Sequence, residues 1–256
     1  MDILHYLITG SFDSSNLSHL DDIVRSNSIN FTLGATVLLF LLVAIAWFIK
    51  KQSGLVKSIL FTAMILIISI NTIYLTGATI YKNQRSVTKG PVHWHADFEI
   101  WNCGQKVNLL DPTGWSNKIG TPVYHEHNDD RLHVEGVVLD KSHVSLGEFF
   151  QVIDGEMTSR KLVAPINEGF LTLNNGDMCN GQPGMLQVFV YKTTGTTFRQ
   201  EKLQNPEDYI LSAQSNVPDG DCIIVEFDSM LKEKTDKMCT SYRAAEKLGK
   251  IKEEGK

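Results

Sequence analysis

Two stretches of this chain carry no charge for 24 residues each, one between Arg25 and Lys50 and one between Lys57 and Lys82. The first has Phe31 to Ile49 as its core, and the second contains the uninterrupted apolar run Ala63 to Ile68. A helix rises about 1.5 Å per residue, so either stretch can cross a hydrocarbon core of about 30 Å. In lipid the backbone must satisfy its own hydrogen bonds, which makes helix the form two such segments take. The reading is a transmembrane helix over 29–49 and a second over 58–81. A cleaved signal peptide fits the first run poorly. That run starts far from Met1, follows the acidic pair Asp21 and Asp22, and lacks a small-residue cleavage site.

Orientation follows from the basic residues. The short connection 50–57 carries Lys50, Lys51 and Lys57, which makes it the cytoplasmic loop by the positive-inside rule. The segment 1–28 has Asp2, Asp13, Asp21 and Asp22 against Arg25 alone, and is read as extracytoplasmic. Lys82, Arg85 and Lys89, in the linker 82–90 after the second run, count in the opposite direction. With one basic residue in the N-terminal segment and three in the loop, a two-pass hairpin in the cell membrane with both ends outside is favoured. Neither span holds a charge, so nothing marks an ion or proton path, and the hairpin reads as an anchor.

Beyond the linker, residues 91–228 have the size of one domain. They hold 20 Asp plus Glu against 9 Lys plus Arg, a net of −11. Such a surface attracts cations and repels nucleic acid, so nucleic acid is set aside as a partner.

Five of the eight histidines fall within forty-one residues of this domain: His93, His95, His125, His127 and His133. From His93 to Ile100 polar and apolar residues alternate, the period of a strand with one buried face. His93 and His95 then project from one side about 7 Å apart, a spacing suited to two ligands of one ion. His125 and His127 repeat the pair, and His133 with Glu135 follows the turn-like Asn128, Asp129 and Asp130. A lone histidine is more often an ordinary surface or core residue, whereas two pairs and a third on adjacent strands point to a metal. All-nitrogen ligation suits zinc or copper(II). Asp97, Glu99, Glu126 and Glu135 are candidates for orienting the ring N–H groups. His5, His19 and His143 lie outside the cluster.

The remaining pattern is mostly strand. A turn at Asn102, Cys103 and Gly104 leads into a return strand over Lys106 to Leu110. Leu146 to Ile153 reads as a short helix, with Ser145 as N-cap and Glu148 three residues later. Leu186 to Tyr191 and Cys222 to Phe227 read as apolar strands. A short helical piece begins at Asn205 and Pro206, and a turn falls over Pro218 to Asp221. Residues 229–256, rich in Lys, Glu and Ala with a net charge of +3, read as a solvated amphipathic helix. The expected fold is an N-terminal transmembrane helical hairpin followed by an extracytoplasmic α+β domain dominated by antiparallel sheet.

All four cysteines, Cys103, Cys179, Cys222 and Cys239, follow the second span, and an even number suits disulfides in an oxidising compartment. Three pairings are open. The pairing of Cys103 with Cys179, both beside glycine turns, is favoured, which leaves Cys222 for Cys239. No Cys-x-x-Cys occurs, so the usual thiol-exchange motif is absent.

The string HWHADFEIWNCGQKVNL at 93–109, then HEHNDDRLHVEG at 125–136 and LGEFF at 146–150, resembles an uncharacterised family of exported or membrane-anchored prokaryotic proteins of candidate-phylum type. The resemblance covers residues 91 to 153 and continues faintly through 185–192 and 218–228. It implies a shared histidine site at His93, His95, His125, His127 and His133, and brings no reaction with it. A cupin motif would place a glutamate where Asp130 or Arg131 stands, so that comparison does not hold. Four uses remain open. The first is a membrane-anchored protein that binds zinc or copper, and the second is a metal-dependent envelope enzyme on the same site. The others are an envelope thiol-disulfide protein and a structural or interaction domain. A peptidase of the His-Glu-x-x-His type is not supported, because His125-Glu126-His127 lacks the second helical histidine.

Overall fold

The computed structural model describes residues 14–49, 53–213 and 220–255. The chain divides into two compact units, Met1–Gly90 and Pro91–Lys256.

In the first unit, α1 (Ser14–Phe48) and α2 (Gly54–Arg85) form a hairpin. Asp21 pairs with Lys82 at 2.5 Å, and the rings of Phe31 and Tyr74 lie 4.5 Å apart. Early residues of α1 therefore meet late residues of α2, as antiparallel packing requires. Both helices are long and apolar enough to cross a membrane, and no residue of α2 is buried by protein. An apolar helix that no protein covers is suited to lipid. Both helices are longer than the spans 29–49 and 58–81. Residues 14–28 of the expected N-terminal segment are helical, and the connection is helical from Gly54. Ser53 caps α2, its Oγ accepting the Val56 N–H. Lys82 and Arg85, expected in the linker, occupy the last turn of α2, where the helix dipole favours cations. Residues 1–13 and Lys50 to Gln52 lie outside the described residues, as do Pro218 and Asp219 of the expected turn at Pro218 to Asp221.

The second unit contains β1 (Pro91–Asn102), β2 (Gln105–Val107), β3 (Ile119–Gly120), β4 (Tyr124–Glu126), β5 (Arg131–Val137), β6 (Glu156–Met157), β7 (Lys161–Ile166) and β8 (Gly169–Asn174). It continues with β9 (Met178–Cys179), β10 (Gln182–Pro183), β11 (Met185–Thr194), β12 (Thr197–Leu203), β13 (Asp221–Asp228) and β14 (Lys252–Glu253). Its two α-helices are α3 (Leu146–Val152) and α4 (Thr240–Lys247). The main sheet runs β14-β12-β11-β13-β1-β5-β4-β3, with β2 also on β1. Among the described residues, only β1 with β13 and β12 with β14 pair in parallel.

The alternation of β1 sets the layers. Ala96, Phe98 and Ile100 enter the main core with Leu132 and Val134 of β5 and Val188, Ile223 and Val225 of the central strands. Two elements close that core. One is α3, which contributes Leu146, Phe149 and Phe150, and the other is the β6-β7-β8 sheet, which contributes Met157, Leu162 and Ala164. The Phe149 ring lies 5.6 Å from Phe98 and 5.3 Å from Tyr124. Ser145 caps α3 as expected, its Oγ accepting the Glu148 N–H at 3.1 Å. The β1–β2 turn places Cys103 at φ 50° and Gly104 at φ 85°, the double left-handed turn that matches strand twist.

The second face of the sheet departs from expectation. Residues 229–256 are not one solvated helix. Only Thr240–Lys247 is helical, and the segment is part of the domain. Cys239, Tyr242, Ala245 and Ile251 are buried against Phe189, Tyr191, Phe198 and Ile224. Polar anchors hold the irregular stretch before α4 and prevent a continuous helix. Lys232 Nζ donates to Glu226, and Thr235 Oγ1 donates to the other oxygen of Glu226 at 2.8 Å. The backbone N–H of Lys232 donates to Gln187 Oε1 at 2.8 Å. Cys239 is then bonded to Cys222 on β13. The polar face of β1 is therefore covered along half its length. Asp97 accepts from Arg131 Nε at 2.8 Å and from Ser241. Glu99 accepts from Trp101 Nε1 at 3.0 Å and Thr240 Oγ1 at 3.3 Å.

Candidate metal centre

The histidines occupy the uncovered half of that same face. Cross-strand register brings them together. On β1 and β5, His95 stands opposite His133 and His93 opposite Glu135. On β5 and β4, His133 stands opposite His125. His95, His133 and His125 thus form one row across three neighbouring strands, about 4.8 Å from strand to strand. His127 follows β4 and folds back over the row. The ring centroids of His95 and His133 are 4.8 Å apart, those of His125 and His133 5.6 Å, and those of His127 and His133 4.9 Å. Two ligand sets result: His125, His127, His133 and Glu135, and His93, His95 and His133. Within each set the ligand atoms lie within 4.8 Å of one another. Small rotamer shifts bring such a set to the roughly 3.3 Å ligand separation that Zn–N bonds of about 2.0–2.1 Å impose. All five expected ligands are therefore brought together.

Hydrogen bonds to the backbone orient two of the rings. His125 Nδ1 lies 3.1 Å from the Thr121 carbonyl, and His127 Nδ1 lies 2.5 Å from that of Asn117. A carbonyl only accepts, so each Nδ1 carries the proton and each Nε2 presents a lone pair. His125 Nε2 is buried and has no hydrogen-bond partner. His133 Nε2 faces Asp129 at 3.1 Å, which leaves His133 Nδ1 buried and without a partner. A buried polar atom left unpaired costs about 1–3 kcal/mol, and a metal ion is one way to satisfy it. Burial, reinforced by Lys118, pushes the His125 imidazolium down to about 4, and burial likewise lowers that of His133. Both rings are thus held toward the neutral form that ligates metal. At the solvent side, His93 Nε2 and His95 Nε2 are 2.9 Å apart.

Gly120 makes this packing possible. It pairs with His125 across β3 and β4 at φ +103°. A Cβ there would lie 2.6 Å from the Tyr124 carbonyl oxygen and 3.1 Å from the His125 Cα.

Of the four carboxylates expected to orient the rings, only Glu135 lies against them, at 3.2 Å from His93 Nε2 and 3.7 Å from His125 Nε2. Asp97 and Glu99 lie further along β1 and anchor the C-terminal segment. Glu126 points away and accepts the Asp129 N–H at 2.7 Å. Asp129 takes the role instead. In sequence it looks like a turn residue. Its four-residue spacing from His133, across a turn with Asn128 at φ 64° and Asp130 at φ 58°, was the available signal.

The cysteines pair as Cys103–Cys179 and Cys222–Cys239, with Cα separations of 5.5 and 5.8 Å. Cys179, Cys222 and Cys239 are fully buried, so the bonds act as staples and not as exchangeable thiols. Comparison of the chain with protein-family models, curated proteins and solved structures finds no match.

Proposed function

We propose that this chain is a membrane-anchored protein whose sheet domain lies on the extracytoplasmic side and binds zinc or copper at His93, His95, His125, His127 and His133. The observation that carries this reading is the three-strand row of His95, His133 and His125, in which His125 Nε2 and His133 Nδ1 are buried without a hydrogen-bond partner. The donor set is nitrogen-rich with one carboxylate, which fits zinc(II) or copper(II). A bound ion would supply positive charge and, at any open position, Lewis acidity. The chain's part is to hold His125 and His127 by their Nδ1 protons, to fix His133 through Asp129, and to keep water from the inner side. The basic loop and the two disulfides support the extracytoplasmic placement. The motif resemblance of residues 91–153 would make the same histidines a family property.

The test uses the full chain in detergent, with its affinity tag removed, and elemental mass spectrometry after loading with zinc and desalting. At least one zinc per chain, lost in His125→Ala/His133→Ala, is expected. A chain that retains no zinc contradicts the reading.

A further inference from the structure

The site has more ligands than one ion takes. Three strands contribute in a symmetric pattern. The central strand β5 presents His133 and Glu135, one residue apart on the same face. On one side β1 presents His93 and His95, and on the other side β4 and its extension present His125 and His127. Glu135 lies between the two outer pairs. One of its oxygens is 3.2 Å from His93 Nε2, and the other is 3.7 Å from His125 Nε2. The two outer pairs also differ in exposure. The His93 side chain is 60% exposed, whereas that of His125 is fully buried.

Resting on the metal-binding reading above, we propose that this face holds two divalent transition ions side by side. The inner ion takes His125, His127 and His133, the outer ion takes His93 and His95, and Glu135 bridges them with one oxygen to each. A carboxylate is the group this arrangement needs. Two divalent cations about 3.5–4 Å apart repel strongly, and a bridging negative charge between them offsets that repulsion. Asp129 supplies a second negative charge behind His133. His133 completes the inner set, because Asp129 holds its Nε2 and its Nδ1 is the buried atom left without a partner. The outer ion has two histidines and one carboxylate oxygen, so its remaining positions face solvent. It is accordingly the ion that exchanges, and the inner one is retained.

The experiment again uses the full, untagged chain in detergent, stripped with a chelator. Zinc content after loading and desalting is expected to be two per chain in the wild type. It should be one in His93→Ala/His95→Ala and one in Glu135→Ala, both of which alter exposed or half-exposed side chains that the fold does not need. In the wild type loaded with copper(II), the paramagnetic resonance signal is expected well below that of two independent spins, because a shared carboxylate couples them. One zinc in the wild type overturns this inference and leaves the single-site reading standing. No zinc overturns both. Two zinc ions with a full-intensity, uncoupled copper spectrum overturns the bridge.

Discussion

His95 and His133 face each other in register across β1 and β5, with ring centroids 4.8 Å apart and planes at 84°. His133 is the one residue that belongs to both ligand sets. In the two-ion arrangement it serves the inner ion, and its loss removes that ion's third histidine. We expect His133→Ala to weaken zinc binding at least 100-fold by isothermal titration. His143→Ala, in the short turn before α3, should leave the isotherm unchanged. Equal effects of the two substitutions would contradict the central place given to His133.

Gly120 tests the outer support of the site. Gly120→Ala puts a methyl group against the Tyr124 carbonyl at a φ that alanine tolerates poorly. β3 must shift, and with it the Thr121 carbonyl that orients His125. Loosened supports of this kind typically cost 10–100-fold in metal affinity. That loss is expected with every ligand still present, together with about 1–3 kcal/mol of stability by denaturant unfolding. Undiminished affinity would show that Thr121 does not orient the ring.

The Cys222–Cys239 bond closes a separation of 17 residues and pins the C-terminal segment. By loop-closure entropy it is worth about 3 kcal/mol, and the Cys103–Cys179 bond about 4.5 kcal/mol. The double replacement Cys222→Ala/Cys239→Ala should raise hydrogen exchange first in α4 and β14. Zinc stoichiometry should hold, since the segment covers Asp97 and Glu99 and leaves the histidines open.

Lys232 is the polar anchor of that segment. It reaches both the buried Glu226 and Asp228, the latter at 2.8 Å. Removing it in Lys232→Met leaves Glu226 without its cation, a loss expected near 3 kcal/mol. The hydrogen bond from Lys232 holds the Asp228 carboxyl below the ordinary aspartate value of 3.8. A depressed carboxyl contributes stability that is fully present above that ordinary value and is lost as pH falls through the folded one. The difference in melting temperature between wild type and variant should therefore narrow below about pH 4. A constant difference would remove Asp228 from the account.

The parts of this structure legible in sequence are those that local periodicity controls. Period-two alternation gave β1 its strand and put His93 and His95 on one side. Charge-free length gave the hairpin, and Ser145 with Glu148 marked the start of α3. Register was not legible, because it depends on which strand lies beside which. Nothing in the spacing from His95 to His133 says that they face each other, nor that β13 inserts in parallel beside β1. The C-terminal segment misled for a related reason. Its composition favours helix, but a disulfide and the buried Glu226 hold residues 229–239 in an irregular path over the sheet. The same cover turned Asp97 and Glu99 from metal-site candidates into anchors, whereas Asp129 entered the site through a turn whose backbone geometry is set only after folding.

The most direct test of the central claim is X-ray absorption at the zinc edge on the zinc-loaded full chain. The account predicts a first shell of nitrogen and oxygen at about 2.0–2.1 Å with the outer scattering of several imidazoles and no sulfur. A sulfur shell near 2.3 Å, or a light-atom shell without imidazole scattering, would contradict it.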